Sequence, residues 1–145
     1  MHGTVLIGED DGLLYPAIIW CDQRSVEQVD MVYELIGSKN LGDWTQNPVC
    51  VGFQLCSLLW IRRHRPDIYG KIRHVLLPKD YIRFLLTGEY GTEATDACGT
   101  LMFDCAGQDW SAPLLEALEI DRRMLPDADH LPTGVQGVLT ARAAS

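Results

Sequence analysis

The sequence of 145 residues predicts one α/β domain in which a β-hairpin is followed by several helices. Residues 4–7 are β-formers, and an acidic turn containing Asp11 and Gly12 connects them to a second apolar run over residues 13–20. Segments in which apolar residues recur at helical spacing occupy most of the remaining chain. The hairpin is therefore the element against which the helices are expected to pack.

The second strand of the hairpin ends in a polar cluster. Pro16 predicts an edge position or a bulge, and the unbroken apolar run over residues 17–20 predicts burial on both faces of the strand. Asp22, Gln23 and Arg24 follow, and the polar end of a buried strand is a common place for a ligand site. Asp22 is a candidate ligand contact, or else it pairs with Arg24 and fixes the corner between strand and helix.

Cap residues and apolar spacing predict the other elements. Ser25 and Gln28 predict a capping box before a helix that ends at Gly37, and further helices are expected to begin near residues 38, 53, 66, 78 and 111. The expected strands are residues 74–77, 101–104 and 134–140. The buried face of the first helix is predicted to contain Val26, Val29, Val32, Tyr33 and Ile36. That of the helix beginning at residue 78, which is expected to end at Gly88, is predicted to contain Tyr81, Ile82, Phe84, Leu85 and Leu86.

Composition narrows the class of protein. The formal net charge of −8 argues against nucleic acid and against an anionic membrane surface as partners. The sequence has no apolar run long enough to span a membrane and no signal peptide, which predicts a cytoplasmic protein. The five cysteines lack a CxxC pair, so we expect free thiols rather than a disulfide framework or a metal site.

General catalytic motifs are absent from the sequence. It contains no glycine-rich phosphate loop of either common kind, no metal-ligand spacing of His and Cys, and no serine in the setting of a nucleophile elbow. The chain starts inside a predicted strand and stops where residues 141–145 resemble the first turn of a helix. These two ends predict a fragment of a longer protein.

Five segments, in collinear order, resemble the first domain of the FGGY family of carbohydrate kinases. They are Met-His-Gly at residues 1–3, Trp-Cys-Asp-Gln-Arg at 20–24, and residues 76–88, 95–104 and 109–121. The resemblance covers nearly the whole chain and implies an actin-like, ribonuclease-H-like ATPase fold. Within the family it is strongest to kinases that phosphorylate D-xylulose to D-xylulose 5-phosphate with ATP. Residues 52–60 keep the helix of the corresponding family segment but lack its Thr, Pro and Lys.

The resemblance also implies roles for individual residues. Met1 and His2 are expected to contact the sugar, Trp20 to line the sugar site, and Asp22 to lie beside it. The general-base aspartate of the family lies downstream of the position of Ser145, so no catalytic residue is expected in this chain. ATP and Mg²⁺ are implied for the full-length kinase, and we expect neither to bind the 145-residue chain tightly.

Residues 1–145 are accordingly expected to form a partial sugar-binding domain. It would lack the leading phosphate-binding strands, the segment with the catalytic aspartate and the C-terminal domain of the family. Two alternatives remain open: a kinase of the same family that acts on another sugar or polyol, and a non-catalytic binding module or pseudogene product with the same fold.

Overall fold

The computed structural model describes residues 2–129, 133–135 and 137–145. The described strands are β1 Val5–Ile7, β2 His74–Leu76, β3 Phe103–Asp104 and β4 Asp109–Trp110. The described α-helices are α1 Val26–Ile36, α2 Ser38–Thr45, α3 Gln54–His64, α4 Pro66–Tyr69, α5 Pro78–Thr87, α6 Ala94–Ala97 and α7 Ala112–Ala117. Two 3₁₀ turns cover Cys98–Thr100 and Arg122–Met124. In this part of the chain, no helix is long and apolar enough to cross a membrane.

The predicted hairpin is present, although its second strand is irregular. Thr4 and Ile18 exchange two backbone hydrogen bonds of 2.8 and 3.0 Å, and Ile7 forms a bridge to Leu13. The chain between these bridges is two residues longer on the second strand than on the first, so a bulge lies around Pro16 as its position in the sequence predicted.

Strand β1 is the centre of this small sheet. Its other edge pairs antiparallel with β2, with Val5 opposite Leu76 and Ile7 opposite His74. All three residues of β1 are buried, because the strand has neighbours on both edges and helices packed behind it. The separate pair β3 and β4 closes a turn over residues 105–108.

Burial of residues 17–20 on both faces was a wrong prediction. Ile18 is buried, whereas Ile19 is 54% and Trp20 is 66% exposed. The segment forms the edge of the sheet, and its pairing with the first strand stops after Ile18. An apolar run alone did not distinguish such an edge from a central strand.

Helix α1 begins after Ser25 and ends before Gly37 as predicted, but the predicted cap at its start is not formed. Gly37 follows its last residue as expected, with its N–H bonded to the carbonyl of Tyr33. The capping box is wrong, since the side chain of Ser25 makes no cap hydrogen bond, and Ser25 and Gln28 are instead buried. Val26 is exposed, while the other four residues of the predicted face are buried or half-buried.

Helix α3 forms the middle of the hydrophobic core. Seven of its eleven residues are buried, namely residues 54–59 and Ile61, and the helix packs against α1 and α4. The basic end of the helix makes structural contacts: Arg62 Nη1 donates to the carbonyl of Leu118 at 2.5 Å, and Arg63 lies 3.1 Å from Glu27.

Helix α5 begins at Pro78 and ends before Gly88 as predicted, but its apolar face is mostly exposed. Phe84 is buried and Tyr81 half-buried, whereas Ile82, Leu85 and Leu86 are exposed. The described part of residues 134–140 is not a strand; Thr140 N donates to the carbonyl of Leu86 at 2.9 Å. Phe84 packs with residues of β1 and β2, so the buried part of the predicted face is the part turned toward this sheet.

Candidate functional site

The two ends of the hairpin lie side by side, as antiparallel pairing predicted. The isolated bridge between Thr4 and Ile18 brings the start of the first strand to the end of the second, close to both His2 and Trp20 in the chain. Gly3 fits tightly beside this pair, because a Cβ there would lie 2.8 Å from the carbonyl oxygen of Ile18 and 3.1 Å from Pro78. Met1, which was predicted to contact the ligand, lies outside the described residues.

The imidazole of His2 is held by two neighbours. It stacks on the ring of Phe53 with centroids 5.2 Å apart and planes at 24°. Its Nδ1–Cε1 edge lies against Gly99, where a Cβ would overlap both atoms. Nδ1 is enclosed and has no hydrogen-bond partner. Local patterns could not predict these contacts, because Phe53 and Gly99 are 51 and 97 positions away from His2 in the chain.

Gly52 joins the start of helix α3 to the end of the hairpin. Its φ of +82° favours glycine, and a Cβ at this position would overlap the carbonyl oxygen of Trp20. This close contact between Gly52 and Trp20 places Phe53, the next residue, beside the ring of His2. The indole of Trp20 remains largely exposed at the surface.

Asp22 forms a bidentate ion pair with Arg24. Arg24 Nε donates to Oδ1 at 2.8 Å and Nη2 to Oδ2 at 2.7 Å, and the backbone N–H of Arg24 adds a bond of 2.9 Å to Oδ1. The hydrogen bonds from Arg24 hold the pKa of Asp22 below its usual value. The local pair at the corner between strand and helix, one of the two predicted roles of Asp22, is therefore present.

Arg24 in turn is fixed by aromatic residues. Its Nη1 donates to the hydroxyl of Tyr15 at 3.0 Å, and its guanidinium lies over the ring of Trp60, 4.8 Å from the centroid. The carboxylate of Asp22 is thereby held at the end of the hairpin, two residues after Trp20.

A charged network that the sequence reasoning missed lies beside the hairpin. Lys79 Nζ is 2.7 Å from Asp80, 3.4 Å from Asp96 and 3.7 Å from Glu93. Asp80 is only 3% exposed, and its Oδ2 has no hydrogen-bond partner. The available signal was the Lys-Asp pair directly after Pro78 together with the acidic stretch around residue 95. Pro78 contacts Gly3, so the network belongs to the same region as His2.

Glu93 organises the acidic side of this network. Its carboxylate accepts hydrogen bonds from the backbone N–H groups of Thr95 and Asp96 at 2.8 and 2.9 Å, and from the Thr95 hydroxyl. Burial alone would raise the pKa of Glu93, but these hydrogen bonds and Lys79 bring it below the usual value. Glu93 thus caps α6, the short helix that precedes Gly99.

The comparisons with known proteins agree with this architecture. Residues 1–142 match the model of the FGGY family of carbohydrate kinases, N-terminal domain. The xylulose kinase of Staphylococcus xylosus is 40% identical over 136 residues, which are 92% of this chain and 28% of that protein. The chain therefore spans little more than a quarter of the length of this relative.

Solved structures give the same fold. The xylulose kinase of Rhodospirillum rubrum is 30% identical with a TM-score of 0.92, over 99% of this chain and 30% of that one. The gluconate kinase of Lactobacillus acidophilus is 26% identical with a TM-score of 0.91, over 99% of this chain and 29% of that one.

The chain belongs to the FGGY family of carbohydrate kinases and corresponds to its N-terminal domain. The fold is the actin-like fold of the sugar kinases, and the prediction of an α/β domain with a hairpin and several helices is confirmed.

Proposed function

We propose that this chain is the sugar-binding part of an ATP-dependent kinase that converts D-xylulose to D-xylulose 5-phosphate in the cytoplasm. The observation that carries the proposal is the position of His2. It is held against Phe53 at the end of the hairpin, where Gly52 meets the carbonyl oxygen of Trp20, in a chain that is 40% identical to a xylulose kinase. A cytoplasmic location accords with the need of such a kinase for ATP.

The side chains at the hairpin ends suit a polyhydroxyl ligand. An indole face such as that of Trp20 packs against the C–H side of a sugar, and an imidazole nitrogen of His2 exchanges hydrogen bonds with hydroxyl groups. Asp22 accepts hydrogen bonds from hydroxyls with the lone pairs that Arg24 leaves free. We assign Met1, His2, Trp20 and Asp22 to the sugar site.

The reaction requires groups that we place elsewhere in a longer protein. Phosphoryl transfer depends on a positioned base, on charge stabilisation of the γ-phosphate and on bound metal. Among the described residues, no three His, Cys, Asp or Glu side chains are arranged to hold a metal ion. By resemblance to the family, we propose that ATP, Mg²⁺ and the general-base aspartate are held by the phosphate-binding strands, the downstream segment and the C-terminal domain of the complete kinase.

A chimaera tests the proposal. The region of the Staphylococcus xylosus xylulose kinase that matches this chain is replaced by the corresponding 136 residues. We expect ATP-dependent phosphorylation of D-xylulose by the chimaera, its loss in the His2→Ala chimaera, and none with the 145-residue chain alone. A folded chimaera that leaves D-xylulose unphosphorylated would overturn the proposal. Phosphorylation of D-xylulose by the 145-residue chain alone would overturn the placement of the catalytic groups elsewhere in the complete kinase.

The second candidate substrate is another sugar or polyol, or a sugar acid, because the fold matches the gluconate kinase of Lactobacillus acidophilus as well as a xylulose kinase. The same chimaera assayed with D-xylulose, gluconate and glycerol at equal concentration decides between them. A higher kcat/KM for gluconate or glycerol than for D-xylulose would transfer the proposal to that substrate.

A further inference from the structure

We propose that Phe53 and Gly99 are positioning residues that fix the ring of His2 so that its Nε2 alone meets the sugar. The proposal rests on the proposed function, since it concerns the same site. It adds two residues, far from His2 in sequence, whose effect on binding would pass through the imidazole.

Phe53 is fixed by the secondary structure that follows it. It occupies the N-cap position of α3 with extended backbone, and its carbonyl accepts the N–H of Ser57 at 3.1 Å. Because α3 is the most buried long helix of the described chain, Phe53 offers His2 a rigid aromatic face. The stacking contact restricts the tilt of the imidazole.

Gly99 is fixed by bonds on both sides of it. Asn47 Nδ2 donates to the carbonyl of Cys98 at 3.3 Å, and the buried hydroxyl of Thr100 donates to the carbonyl of Ala97 at 2.6 Å. The backbone of Gly99 lies outside the left-handed region, so its conformation does not require glycine. What requires glycine there is the space taken by the Nδ1–Cε1 edge of His2.

The two contacts leave the nitrogens of His2 in different surroundings. Nδ1 is enclosed without a partner against Gly99, which leaves Nε2 as the ring nitrogen that can reach a ligand. A ring fixed by Phe53 on its face and by Gly99 along one edge thus presents Nε2 to a ligand. A flip of the ring about the Cβ–Cγ bond would put Cε1 in the place of Nε2, and both positioning residues oppose it.

A double-mutant cycle tests this mechanism on the 145-residue chain. The four proteins are the wild type, Gly99→Ala, His2→Ala and the double variant, and the readout is the Kd for D-xylulose from NMR titration. We expect Gly99→Ala to weaken binding about tenfold when His2 is present and less than about twofold when it is replaced by Ala, because the added methyl then meets no ring. Gly42→Ala is the control, since a Cβ there meets nothing within 4 Å.

The position of the ring is measured independently of sugar. The His2 Cε1–H resonance should show the ring-current shift of Phe53 and should move in both Phe53→Leu and Gly99→Ala, but not in Gly42→Ala. An unmoved resonance would overturn the positioning role. Equal losses of affinity in the two His2 backgrounds would overturn it as well, while leaving the sugar site in place. A wild-type chain without any response to sugar would instead overturn the proposed function, and with it the sugar part of this proposal.

Discussion

Gly52 lies against the carbonyl oxygen of Trp20 so closely that a Cβ would overlap it. This contact brings the start of α3 to the end of the hairpin, and it places Phe53 beside His2. The candidate site therefore depends on a glycine that contributes no side chain to it.

Replacement of Gly52 by alanine should lower the free energy of unfolding by about 2 kcal/mol or more, because strain at positive φ adds to a collision with backbone. Gly37→Ala is the matched control, since φ is +81° there and a Cβ meets nothing within 4 Å; its cost should be about 1 kcal/mol. Urea unfolding of both variants measures the difference. Equal costs would show that the contact with Trp20 is not tight.

Lys79 should stabilise the fold through the buried carboxylate of Asp80. Lys79→Met leaves Asp80, Glu93 and Asp96 without their shared cation. We expect the free energy of unfolding to fall by about 2 kcal/mol, which is less than the cost of breaking a fully buried pair because Lys79 is partly exposed. Lys39→Met removes the exposed pair with Asp43 and should leave the unfolding midpoint unchanged. A similar stability of the two variants in urea would contradict the structural role of Lys79.

His74 should make stability depend on pH. Its ring stacks on Tyr90 with centroids 3.8 Å apart, and burial lowers its pKa below 6.5, partly opposed by Asp11. The unfolded chain therefore binds a proton at this group more readily than the folded one. The stabilisation is fully present above pH 6.5 and is lost as the pH falls through the lower pKa of the folded state.

The comparison of wild type with His74→Phe isolates this effect, because Phe keeps an aromatic ring against Tyr90. Urea unfolding is measured between pH 7.5 and pH 5, which covers about one unit or more on each side of the ordinary pKa of histidine. Over this range the free energy of unfolding should fall less for the variant than for the wild type. Parallel profiles would rule out His74 as the source.

Two of the five thiols should react quickly with Ellman's reagent at pH 8. Cys21 and Cys50 are exposed. Burial raises the pKa of Cys56 to about 12, and burial together with a hydrogen bond from the Cys98 thiol to Cys105 raises that of Cys98 to about 12. Mass spectrometry of the labelled protein identifies the sites, and denaturant should expose the remaining thiols. Fast labelling of Cys56 in the native state would contradict its burial.

Local signals predicted the elements but not their surroundings. The turn at Asp11 and Gly12 and the helix ends at Gly37 and Gly88 are encoded in neighbouring residues, and the structure contains all of them. Whether a given apolar residue is covered depends on elements distant in sequence. The exposure of Trp20 was therefore missed.

The site was predicted from the sequence only in part. Resemblance singled out His2, Trp20 and Asp22, and antiparallel pairing predicted that the hairpin ends are adjacent. The contacts of His2 with Phe53 and Gly99 join three separate segments. No spacing in the chain encodes such a contact, because it results from the packing of α3 and the 3₁₀ turn Cys98–Thr100 against the hairpin.

The most direct test of the account is a map of the backbone amide shifts of the ¹⁵N-labelled chain during titration with D-xylulose. The account predicts that the largest changes occur at residues 2–4, 18–22 and 52–53, where the hairpin ends meet the start of α3. Changes confined to another surface, such as the exposed face of α5, or no change at saturating sugar, would contradict it.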